Sequence, residues 1–190
     1  MSMRRDEYQA KLGFALFIAS LTMFFLAGLV GFAVIRFSGS VLSIPVATIP
    51  WPLFLGTLSM LSVSWMLHRS VGAVRRERQA EFRQWLRTAV ILAIFFMVYQ
   101  ALGLSVLLDR HDESRIARIL TPQYGVAFFL IFVHALHVVG GMAFLGWIVY
   151  FAQKEVYDHE KHWTVDICAL YWHFLDIVWI VMLGTFLLSR

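Results

Sequence analysis

Within the long apolar stretches of this 190-residue chain, a small set of side chains could do chemistry: His134, His137, His173, Asp176 and the hydroxyls of Tyr99 and Tyr171. Neutral imidazole ligates metals and haem and exchanges protons near neutral pH. His134 and His137, three residues apart, can share one helix face and offer two-point metal binding. One carboxylate and three histidines are nevertheless a thin ligand set. Two haems held by histidine pairs need four such histidines, and three are present; a single haem on His137 and His173 stays open. The plainer reading is hydrogen bonding between helices, which fixes their packing. A second group is polar: Glu155, Asp158, His159, Glu160, His162 and Asp166 place six titratable side chains in one short segment. Such a cluster could gather protons, or simply be a solvated connection. Arg69, Arg75 and Arg83 could hold anionic head groups.

The elements that position these groups follow from the distribution of charge. Residues 12–35, 45–67, 88–108, 124–152 and 167–189 together contain a single Asp, Glu, Lys or Arg, which is Asp176. A helix crossing a bilayer needs roughly 20 apolar residues, so the chain reads as one all-α transmembrane domain, residues 1–190, with five spans. No connecting piece is long enough to bury a core of its own. The single cysteine, Cys168, excludes an internal disulfide and any metal centre built on several thiolates. The formal net charge of +4 lies beside the spans, so phospholipid rather than nucleic acid is its partner. The first span is too long for a signal-peptide core and is read as retained. The N-terminal segment and the loops after spans two and four carry 11 Lys and Arg, against 5 on the other side. By the positive-inside rule the N-terminus is cytoplasmic and Arg190 lies outside.

Rise along a helix, about 1.5 Å per residue, then gives depth. Measured from the outer edge, His134 and Asp176 lie about 15–16 Å deep, and His137 and His173 about 20–21 Å. Spans four and five are joined by a short loop, so the four groups could form two polar rungs in one seam, His134 with Asp176 and His137 with His173. Spans one to three also offer Phe14, Phe17, Phe24, Phe25, Phe95 and Phe96 as lipid-facing surface. These residues suggest a phospholipid cleft between the first two spans and the last three.

The stretch Tyr171-Trp172-His173-Phe174-Leu175-Asp176-Ile177-Val178-Trp179 closely resembles the last-helix signature of subunit III of the haem-copper terminal oxidases, in the five-helix form. His134-Ala135-Leu136-His137-Val138-Val139-Gly140-Gly141 resembles the next-to-last helix of that family. Leu16-Phe17-Ile18-Ala19-Ser20 with Phe24-Phe25 and Ala27-Gly28 resembles its first shared helix, Thr57 with Ser62, Trp65 and His68 the next, and Gln100-Ala101 the one after. Two positions depart from the pattern: carboxylates common in the family are replaced by Leu21 and Gly103, so roles attached to them do not transfer.

The resemblance implies an accessory subunit without an active site, cofactor or metal of its own. Haem and copper would reside in subunit I and subunit II of a proton-pumping complex that reduces oxygen to water, in a bacterial plasma membrane, with small subunits possible. This chain would pack on subunit I, hold phospholipid and support proton uptake. Two other readings stay open: the subunit III-like protein that accompanies some nitric oxide reductases, and a small b-type haem carrier.

Overall fold

The structure, a computed structural model, describes residues 2–38, 51–116, 122–157 and 162–188. It contains five helices in that range: α1 Ser2–Phe37, α2 Trp51–Arg75, α3 Gln79–Ile116, α4 Pro122–Gln153 and α5 Trp163–Leu188. Four have segments long and apolar enough to cross a membrane, Tyr8–Phe37, Gln79–Val106, Gly125–Gln153 and Trp163–Leu188, which makes this a helical membrane protein. The described part of α2 does not meet that measure, and the residues before Trp51 that complete the expected second span lie outside the described range. The physical reason is composition: Thr57, Ser59, Ser62, Ser64, His68, Arg69 and Ser70 dilute its apolar character.

α2 and α4 end the same way. At the end of α2, Glu77 adopts a left-handed φ of 59°, its amide donates to Val74 O, and the Arg78 amide reaches back to Ala73 O. At the end of α4, Glu155 has φ 56°, its amide donates to Ala152 O, and the Val156 amide to Phe151 O. These are Schellman caps, which satisfy terminal carbonyls and reverse the chain. Glycine usually fills the left-handed position; here glutamate does.

α5 lies at the centre. It packs on α1, α2 and α4, while α3 closes against α2 and α4. Trp172, Leu175, Trp179 and Met182 of α5 are fully buried, as are Leu130, Leu145 and Ile148 of α4 and Phe82 and Phe96 of α3. Gly141 permits the α4–α5 approach: a Cβ there would stand 3.2 Å from Tyr171 and 3.4 Å from both Leu175 and Trp172. Among the described residues α1 touches neither α2 nor α3. The expected cleft between the first two spans and the last three is therefore displaced. α2 and α3 form a closed hairpin, and an apolar groove lies between α1 and α5. Phe17, Phe24 and Phe95 face outward as expected, whereas Phe25 and Phe96 are buried by α4 and α2 contacts.

Candidate functional site

The intramembrane polar groups divide into two sets, arranged differently from the expected seam. On α4, His134 is fully buried and neither ring nitrogen has a hydrogen-bond partner. Its ring stacks on Trp179, centroids 5.3 Å apart and planes 25° apart. His137 Nδ1 bonds to the Val133 carbonyl of its own helix at 2.8 Å, and the Tyr171 hydroxyl donates to His137 O at 3.0 Å. Phe25 of α1 packs edge-on against both imidazoles, at 6.3 and 5.7 Å.

On α5, His173 turns to α2. Its Nδ1 is hydrogen-bonded to Ser64 Oγ, and its ring lies 6.4 Å from that of His68. Asp176 is buried with Oδ1 unpartnered, and the Ser64 hydroxyl sits beside its carboxyl. The polar contacts join α5 to α2 instead: Ser64 is hydrogen-bonded to His173 and sits beside Asp176, with the His68 ring near that of His173. The direct His134–Asp176 hydrogen bond is absent. Two geometric facts explain the difference. Depth fixes height and leaves rotation about the helix axis undetermined, and α5 turns its His173–Asp176 face toward α2. The register is also displaced: His134 meets Trp179 and Gly141 meets Trp172, so α5 sits three residues, about 4.5 Å, from the expected alignment. The spacing of Ser64 and His68, four apart and hence on one helix face, is the signal in the sequence that would have found these contacts.

Trp179 ties three helices together. Besides stacking on His134 of α4, its Nε1 donates to Thr57 Oγ1 of α2 at 2.8 Å, and Thr57 in turn donates to Leu53 O at 2.8 Å. The other signature residues have separate tasks. Tyr171 caps a carbonyl of α4, Trp172 fills the core, and Phe174 lines a groove against α1. The two departures from the family pattern have steric counterparts. Leu21 is part of the core, and a Cβ on Gly103 would lie 2.3 Å from Leu53 Cδ2, so that space is already taken.

At the end of the bundle where α2 turns into α3, the expected head-group and proton-collecting residues meet one another. Arg75 donates to both carboxylate oxygens of Asp166 at 3.1 Å, Arg83 to Glu155 at 3.0 Å, and His162 Nε2 lies 3.4 Å from Asp166 Oδ2. Gln79 Nε2 donates to Tyr157 O at 2.8 Å, and Tyr157 packs edge-on against Phe82. Burial pushes the Tyr157 phenol above its ordinary range, with Cys168 adding to the shift. Arg69 has different neighbours: its guanidinium lies over Trp65 at 5.6 Å and Trp85 at 5.4 Å. Asp158, His159 and Glu160 lie outside the described residues. Among the described residues no group of three or more His, Cys, Asp and Glu is placed to hold a metal ion.

The chain is similar to proteins named cytochrome c oxidase subunit 3. It is 28% identical to the cytochrome c oxidase subunit 3 of Pylaiella littoralis over 92% of its own length and 65% of that protein's. It is 30% identical to the probable cytochrome c oxidase subunit 3 of Mycobacterium tuberculosis over 66% of this chain and 60% of the relative. For the cytochrome c oxidase subunit 3 of Synechocystis the figures are 25%, 66% and 52%. No protein-family model matches. The chain spans about half to two thirds of the length of these relatives.

Proposed function

We propose that this chain, a member of the cytochrome c oxidase subunit III family, is the non-catalytic accessory subunit of a proton-pumping haem-copper oxidase in a bacterial plasma membrane. The observation that carries the reading is the Trp179 junction. Signature residues from three regions of the sequence, Thr57, His134 and Trp179, meet in one place and lock α2, α4 and α5 together. The motif thus works as a packing device. The reaction, oxygen to water, belongs to partner subunits that hold the haems and copper; this chain stabilises subunit I.

All five helices cross the membrane in this reading. The hydroxyls that lower the hydropathy of α2 support it, because Thr57, Ser59, Ser62 and Ser70 all donate to carbonyls of their own helix at 2.8–3.0 Å. A hydroxyl satisfied in this way is compatible with a lipid environment. The excess of Lys and Arg puts the α2–α3 and α4–α5 turns in the cytoplasm. Phospholipid occupies the groove between α1 and α5, whose walls are Phe14, Ile18, Leu170, Phe174 and Ile177 with Lys11 and Trp163 at one end. Apolar walls suit acyl chains, and a cation with an indole suits the head-group level. Arg75 and Arg83 serve instead to clamp the α4–α5 turn to the α2–α3 hairpin.

Deleting the chain tests the proposal. Membranes from the deletion strain keep the haem absorbance of the oxidase but lose oxygen consumption progressively during turnover, and the intact gene restores it. A haem band in a reduced-minus-oxidised spectrum of the purified polypeptide would contradict it.

A further inference from the structure

Four groups able to accept and donate a proton lie in sequence from the surface to the middle of the bundle. Ser64 and His68 share one face of α2, and His173 and Asp176 share one face of α5. His68 is exposed and lines a polar cavity with Arg69, Arg76, Arg78, Glu81 and Trp85 at the α2–α3 hairpin. His173 is half-buried, with its ring 6.4 Å from that of His68, a gap one water molecule spans. Ser64 is buried and hydrogen-bonded to His173, and it also sits beside the buried Asp176 carboxyl. Exposure falls from His68 to His173 to the buried pair Ser64 and Asp176, and the groups follow one another along the path. A purely structural carboxyl would have its oxygens bonded, yet Asp176 Oδ1 has no partner, which leaves it free to receive a proton.

We infer that His68, His173 and Ser64 form a proton path connecting the polar cavity at the α2–α3 hairpin with the Asp176 carboxyl. A proton from the aqueous phase adds to one ring nitrogen of His173 by way of His68, the other ring nitrogen releases its proton to Ser64 Oγ, and the Ser64 hydroxyl passes its own to the carboxylate. The carboxylate becomes a carboxylic acid, one proton leaves the water, and the imidazole and hydroxyl regain their starting composition. The charged and titratable groups around the path include Arg69, Arg76, Arg78 and Glu81 at the cavity His68 lines, Lys11 of α1 with Asp166 of α5 at the groove His173 also lines, and His134 and His137 of α4. His134 and His137 face Phe25 and Trp179 and contribute no link.

The path is independent of which catalytic subunit binds the chain, so it is tested on the full-length polypeptide in lipid nanodiscs. Infrared difference spectra with carboxyl-labelled aspartate identify the Asp176 carboxylic acid band as the one missing in Asp176→Asn. Its shift after mixing into heavy water gives the rate of proton exchange. Positioned proton carriers typically contribute about 100-fold or more to a transfer rate, so His173→Phe and Ser64→Ala are expected to slow the shift by about that factor. His68→Phe, which leaves the outer cavity open to water, slows it by about tenfold, and His134→Phe leaves it unchanged. Ser64→Ala deletes a single oxygen from a helix, so it retains the fold if the histidine variant does not. Exchange as fast in Ser64→Ala and His68→Phe as in the wild type overturns the path, as does an Asp176 that never shows an acid band.

Discussion

The residue that explains most about the last helix is Trp179, because it satisfies its indole N–H in a dry core and supplies the stacking surface for His134. A buried donor left without its acceptor costs about 1–3 kcal/mol. Thr57→Val keeps the shape and removes the acceptor, so it should destabilise the protein by about that amount, read as a lower melting temperature in detergent. An unchanged melting temperature would show that the indole finds another partner. His134 makes the opposite case. Its nitrogens bond to nothing, and its ring lies flat against Trp179. His134→Phe preserves the stacking and removes two unsatisfied polar atoms, so stability is expected to stay within about 1 kcal/mol of wild type. A loss of several kcal/mol would mean that the imidazole is hydrogen-bonded through water. That the chemistry-bearing residues of the membrane segments are His134, His137, His173 and Asp176 was readable from the sequence, because charge and imidazole are rare there. Their partners were not. Rise per residue fixes depth, but rotation depends on how α5 meets three neighbours at once, and periodicity within one helix contains no such information.

At the scale of elements, the α4–α5 pair depends on close approach at Gly141. A leucine there has no room beside Tyr171, Trp172 and Leu175. Overpacking of this kind costs about 1–3 kcal/mol, so Gly141→Leu should lower thermal stability by that amount, and an unperturbed protein would contradict the tight contact. The turn clamp behaves differently. Arg75 and Asp166 are 55% and 34% exposed, and Glu155 is 70% exposed. Exposed ion pairs contribute about 0–1 kcal/mol. A double-mutant cycle on Arg75 and Asp166 should therefore give coupling below about 1 kcal/mol, and a larger value would indicate that the pair is shielded by lipid or a partner. The helices themselves were legible as apolar runs, with ends that extend beyond the apolar segments because polar turns such as Gln79–Arg87 continue the helix. The closed α2–α3 hairpin was less legible. An apolar run does not reveal which helix covers a given phenylalanine, and Phe25 and Phe96 are buried.

At the scale of the whole molecule, α1 stands apart from α2 and α3, and a groove lined by α1 and α5 leads up to His173. That layout suits a subunit which presents apolar faces to lipid and to a larger partner and keeps its polar groups at one end. The acidic and histidine-rich α4–α5 turn lies at that end, with Asp166 and Glu155 held by arginines of the hairpin. A proton-collecting role for this turn would matter most where free protons are scarce. Replacing His159 and His162 together with Gln is expected to slow steady-state oxygen consumption of the intact complex, chiefly above about pH 7. Superimposable pH profiles would leave the turn as a connector. The measurement that bears most directly on the central claim is mass spectrometry of the intact complex, purified through a tag on this chain from mildly solubilised membranes. The account predicts subunits I and II of a haem-copper oxidase in stoichiometric amount with the tagged chain. Recovery of a nitric oxide reductase catalytic subunit in their place, or of the chain alone with a haem of its own, would contradict it.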